Sequence, residues 1–192
     1  MGWWGRGVAA RVAAIDRYAF PSSVRQRFSQ GRPDLSAEDI RAVEDAVRQR
    51  FRLAARWPRA RLAMPSVLAA EYWREFARQS GDYAAFCAAA LGRRPRPDPA
   101  SERSGLPETL VLARRDEGGG ADVLPLLFRV DRAIGVPDGR HYLADCGGRG
   151  QCFQQAGMIC VAHVDGTGRP VRRGWRIGEA PPPGDLGGGV SS

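Results

Sequence analysis

The sequence predicts a mainly α-helical single domain of about five or six helices, closed by a small, partly β segment that carries cysteines and a histidine. Three observations predict it. The block "LSAEDIRAVEDAVRQRFRLAARW" opens on Ser36 with Glu38 and Asp39 in its first turn, and its apolar residues Ile40, Val43, Val47, Phe51 and Ala54 recur on one helical face. A second helix start, Ser66 in "MPSVLAAEYWREFARQ", sets Val67, Ala70, Trp73 and Phe76 toward a core. After residue 135 the chain changes to short β-prone pieces flanked by glycine. The expected organisation is a helical domain over 1–178, with its helical core at 8–135 and an irregular or β cap at 136–178, then a disordered tail at 179–192.

The elements follow in chain order. "VAARVAAIDRYA", residues 8–19, reads as a helix stopped near Pro21, and a polar link with Gly31 and Pro33 follows. The Ser36 helix ends at Pro58, and the Ser66 helix is interrupted at Gly81. "DYAAFCAAAL" is a further helix with Asp82 at its start, and Cys87 within it reads as core. "GRRPRPDPASERSG" has no apolar periodicity and reads as a loop. "PETLVLARRDE" and "VLPLLFRVDRAIG" are helical runs separated by "GGGAD". "DGRHYLAD" and "GMICVAHV" suit a small hairpin or an irregular cap, and "EAPPPGDLGGGVSS" is low-complexity.

Composition narrows the function classes. The chain has 192 residues, 43% of them hydrophobic and 26% charged, which suits one soluble domain with one core. No apolar run is long enough for a membrane span, and Arg11 and Asp16 interrupt the amino-terminal apolar stretch, so neither an anchor nor a signal peptide is expected. A cytoplasmic location follows, where cysteines serve as thiols or ligands. All 29 basic residues are arginine, and the net charge of +8 points weakly to an anionic partner.

"MPSVLAAEYWREFARQSGDYAAFCAAALG", with the later "LPLLFRVDRAIGVPDG" and the Cys/His segment, resembles a bacterial group of uncharacterised proteins similar to glycine-rich domain-containing proteins. The likeness runs over roughly residues 62–163, and its mark is an aromatic helix followed by a Tyr-and-Phe-Cys helix. Members carry a histidine after the helix tryptophan and a His-His-Thr-Pro run after the second helix. Here Arg74 follows Trp73, and "RPRPDP", Arg94 to Pro99, takes the place of that run. The resemblance therefore implies a helical fold, supplies no activity and argues against carrying over a histidine-based site.

Cys/His chemistry is concentrated in "CGGRGQCFQQAGMICVAH", where Cys146, Cys152, Cys160 and His163 are separated by five, seven and two residues. Three thiolates and an imidazole suit a closed tetrahedral zinc site. The compact Cys-x₂-Cys knuckle is missing, Cys160 and His163 would face apart in a strand, and His141 is a substitute ligand. The same residues also suit a redox pair of Cys146 with Cys152, or buried inert thiols. A nucleophilic cysteine could take His163 with Asp165 or Asp145, but no elbow or oxyanion hole accompanies it.

Arg48, Arg52 and Arg56 fall on one helix side beside the apolar stripe, with Trp57 near for stacking; such a ridge suits a nucleic-acid backbone. Glu44 and Asp45 lie one turn earlier and equally suit a solvated, neutralised face. Tyr72, Trp73, Phe76, Tyr83 and Phe86 read as packing, Glu71 and Glu75 as a salt-bridged surface, and "EGGGAD" lacks what a phosphate loop needs. The sequence thus holds no complete catalytic set. It favours a non-catalytic binding or scaffold module for a protein partner, with nucleic-acid association and zinc or thiol chemistry as alternatives.

Overall fold

The computed structural model describes residues 3–97, 105–120, 123–147 and 158–164. Among them the chain forms eight helices: α1 (Trp3–Arg17), α2 (Ser22–Gly31), α3 (Ala37–Arg56), α4 (Val67–Arg78), α5 (Ser80–Ala90), α6 (Leu106–Glu117), α7 (Leu126–Ile134) and α8 (Val161–Val164). Two short strands, β1 (His141–Leu143) and β2 (Met158–Cys160), complete it. The expected helical fold class is what forms. The part of the expected cap beyond residue 164, and the tail at 179–192, lie outside the described residues.

α3 is the central element and packs against α1, α4, α6 and α7. Its start is a full capping box: the Ser36 side chain accepts from the Asp39 N–H, and the Asp39 carboxylate accepts from the Ser36 N–H. The expected stripe is buried at Val43, Val47, Phe51 and Ala54. Phe76 of α4 holds the aromatic core, edge-on to Phe20 at 5.2 Å and to Tyr83 at 5.1 Å. Such pairings add about 0.5–1.5 kcal/mol each beyond burial.

α2 forms where the sequence suggests only a polar link with Gly31 and Pro33. The physical reason is visible: only Val24 and Phe28 are buried, one turn apart, and no side chain caps its start. Ion pairs supply much of its attachment, from Arg25 to Glu44 on α3 and from Arg27 and Arg32 to Glu75 and Glu71 on α4. The interface with α4 and α3 holds this helix more than its own periodicity does.

The cap also differs from a hairpin. β1 and β2 pair in parallel, with His141, Tyr142 and Leu143 opposite Met158, Ile159 and Cys160. A parallel pair needs a long connection, and 14 residues separate the two strands in the sequence. The pair docks through Tyr142, which is buried, lies 5.0 Å from the Phe128 ring and donates its hydroxyl to the Pro65 carbonyl. Gly105, before α6, passes so close to Arg61 that a Cβ there would meet the Arg61 carbonyl oxygen at 2.2 Å. Glycine is what lets α6 press onto residues 61–63.

Candidate functional site

The cap gathers the Cys/His residues. β2 delivers Cys160 at its last position, and the chain turns at once into α8, so His163 swings back beside the strand end. That one turn of helix removes the objection that Cys160 and His163 would face apart. Cys146 arrives three residues after β1, where Gly147 takes φ +59° and its N–H donates to the Asp145 carboxylate at 2.8 Å.

Sγ of Cys146, Sγ of Cys160 and a ring nitrogen of His163 all lie within 4.8 Å of one another. Cys146 Sγ stands 3.6 Å from His163 Nδ1. Zinc bond lengths in a tetrahedron imply a sulfur–nitrogen edge of ~3.6 Å and a sulfur–sulfur edge of ~3.8 Å. The observed trio therefore matches one edge of that tetrahedron and requires a contraction of at most ~1.2 Å elsewhere. Cys146 and Cys160 are both 3% exposed and, with Ala162 and the flank of Leu143, form a small apolar cluster separate from the main core. Cys152 falls outside the described residues, as does Asp165. His141 is not in the trio, but strand alternation sets it on the face of Leu143, and its Nε2 is buried with no hydrogen-bond partner among the described residues.

The arginine ridge has a different environment. Arg48 pairs with Asp45 at 2.9 Å and with Glu44 at 3.7 Å, and its guanidinium lies 4.9 Å over the Phe20 ring. Arg52 bridges Asp16 at 3.1 Å and Asp116 at 3.0 Å, and Arg56 reaches the same Asp116 at 3.2 Å. Trp57 packs against the core. All three guanidiniums are thus committed to carboxylates, two of which, Glu44 and Asp116, have buried side chains. Glu71 and Glu75 are likewise ion-paired, to Arg32 and to Arg27 and Arg78, and Cys87 is buried.

Several buried polar residues escaped the sequence reading. Asp131 of α7 accepts from the Ser66 hydroxyl at 2.5 Å and from the backbone N–H groups of Val67, Leu68 and Arg140. Glu44 accepts from Tyr72 and Arg25, both at 2.5 Å. Arg50 is enclosed between α3, the 62–63 segment and Trp73. For Glu44 and Arg50 a signal existed: Ile40–Glu44–Val47–Phe51 and Val43–Val47–Arg50–Ala54 run at 3- and 4-residue steps, so both charges stand on the core-facing stripe.

Among comparisons with known proteins, one family model, described as UCP032817-like, matches residues 10–164. No curated protein and no solved structure matches the chain.

Proposed function

We propose that this chain, which belongs to the UCP032817-like family, is a zinc-binding, non-catalytic binding module. In this reading its C-terminal cap is fastened by one Zn²⁺ on Cys146, Cys160 and His163, with Cys152 as the fourth ligand. The observation that carries it is the convergence of three ligand atoms within 4.8 Å at the end of a strand pair. Three thiolates and one imidazole fill all four positions and leave none for water or substrate, which is the pattern of a structural site. Burial of the two described cysteines supports the same role, since it excludes solvent from the bonds. The wider likeness to bacterial glycine-rich domain-containing proteins belongs to this proposal and rests on the helices around Trp73 and around Tyr83, Phe86 and Cys87.

Elemental analysis of the purified protein tests it, together with a thiol count before and after a chelator. One zinc per chain is expected, with three thiols becoming reactive only when the chelator is present. Cys160→Ser or His163→Ala lowers the zinc content, and Cys152→Ser does so if Cys152 is the fourth ligand. If instead His141→Ala lowers it and Cys152→Ser does not, His141 is the fourth ligand. A metal-free protein whose thiols all react at once ends the proposal.

A further inference from the structure

α2 and α4 pack side by side, and an open groove of about 400 Å³ lies between them. Phe28, 2% exposed, forms its base, and its walls are charged. On α4, Glu71, Arg74, Glu75 and Arg78 follow one another at three- and four-residue steps and so share a face. Arg27 of α2 and Arg32, just beyond its end, meet that face across the groove.

The charges are unevenly answered. Arg32 donates from Nε and Nη2 to Glu71, both at 2.8 Å, and from Nη1 and Nη2 to Asp138, at 2.9 and 2.7 Å. The other three guanidiniums share one carboxylate. Glu75 takes Arg78 at 2.5 Å and Arg27 at 3.3 Å, and among the described residues no carboxylate pairs with Arg74. Three positive charges against one negative leave a surplus of two. The layering turns that surplus outward. The Glu75 side chain is 18% exposed, whereas those of Arg27 and Arg78 are 40% and 72% exposed, and Arg74 is exposed as well. The guanidiniums thus stand above a recessed carboxylate that fixes two of them and neutralises only one.

We propose that this groove binds a small phosphate monoester, with its phosphoryl group held between Arg27, Arg74 and Arg78. Such a group carries about −1.5 to −2 charge at pH 7, which matches the surplus. A carboxylate or a phosphodiester brings a single charge and leaves one guanidinium unanswered. The phosphoryl oxygens also suit the paired N–H donors of arginine, which a point-like ammonium does not offer. The groove is at the small end of the ~300–1,000 Å³ typical of small-molecule sites, so a compact organic body fits over Phe28 beside the phosphoryl. It shares no residue with the proposed zinc site and goes beyond that reading.

The test titrates the full chain in a calorimeter at low ionic strength with glycerol phosphate, inorganic phosphate and acetate. Saturable binding of one glycerol phosphate per chain is expected, with acetate at least ~10-fold weaker. Tighter binding of glycerol phosphate than of inorganic phosphate supports an ester as the ligand; the reverse order assigns the groove to free phosphate and overturns the ester. Arg74→Gln removes an exposed side chain with no ion pair, so the fold is kept, and it should weaken phosphate binding ~10-fold. Arg78→Gln should do the same. Arg115→Gln, an equal loss of charge at an exposed position of α6 outside the groove, should leave the affinity unchanged. An equal loss in all three variants would mean that net charge alone attracts the anion, and the site would fall. Acetate binding as tightly as phosphate, or no saturable heat with either phosphate, overturns the proposal.

Discussion

Glu44 shows how one residue joins three elements. Burial alone would raise its carboxyl, but the hydrogen bonds from Arg25 and Tyr72 outweigh that and hold it below its ordinary value of 4.5. The same bond, with burial first, pushes the Tyr72 phenol well above its usual range. A depressed carboxyl contributes stability that is fully present above the unfolded value and is lost as pH falls through the folded one. Wild-type stability should therefore fall below about pH 4.5, and Glu44→Gln should flatten that fall. At neutral pH the same change should cost about 1.5–3 kcal/mol. The lower end is expected because Arg25 is half-exposed and regains water. Urea unfolding of both proteins at pH 7 and at pH 3.5 checks this, and equal acid sensitivity would refute it. From the sequence, Glu44 was legible only as a helix-surface partner of Arg48. Its place on the apolar stripe was there to be read, but Arg25 and Tyr72 come from 19 and 28 residues away, and no local pattern brings them together.

At the scale of elements, the sequence was most informative where a rule is local. Ser36 and Ser66 both cap helices as their positions imply, and the Ser66 hydroxyl accepts from the Ala69 N–H at 2.9 Å. It was silent where the rule is long-range. Asp131, 65 residues after Ser66, completes the α4 cap by accepting from Ser66 and two backbone N–H groups of its first turn. Ser66→Ala should cost ~1 kcal/mol. Asp131→Ala should cost more, ~3 kcal/mol, because it strands buried donors on α4 and at Arg140. The double variant should cost less than the sum, since both act on one network. Chemical denaturation of the three variants measures this, and strict additivity would show that the two caps work separately. The same locality explains the cap. β-prone composition was readable at 141–143 and 158–160, while the parallel direction depends on a crossover whose course no dipeptide signal encodes. Likewise, the turn that brings His163 round to Cys160 begins immediately at Val161, where β-branched residues suggest a continuing strand.

For the whole molecule, the division of its apolar residues decides what loss of the proposed zinc would do. Cys146, Cys160 and Ala162 form their own cluster, while Tyr142 and Val161 belong to the main core along with α3 and α4. The helical body therefore does not depend on the cysteines for its burial. Its central contacts run between α3 and α1, α4, α6 and α7, none of which carries a ligand of the proposed zinc site. β1 keeps its anchor through Tyr142, whereas β2 and α8 hold on otherwise by Ile159 and Val161 and by the contact of α8 with α6. Adding a chelator to the full chain should open residues 158–164 without unfolding the rest. In hydrogen exchange, protection at 158–164 should fall, protection in α3 and α4 should stay, and the far-ultraviolet helical signal should change little. Excess zinc should restore the protection, because binding free energy at such a site is folding free energy for the segment it closes. Global unfolding by the chelator would mean that the cap is part of the main cooperative unit. Unchanged exchange at 158–164 in a zinc-loaded sample stripped of its metal would mean that the ion closes nothing, and the structural role assigned to it would fall.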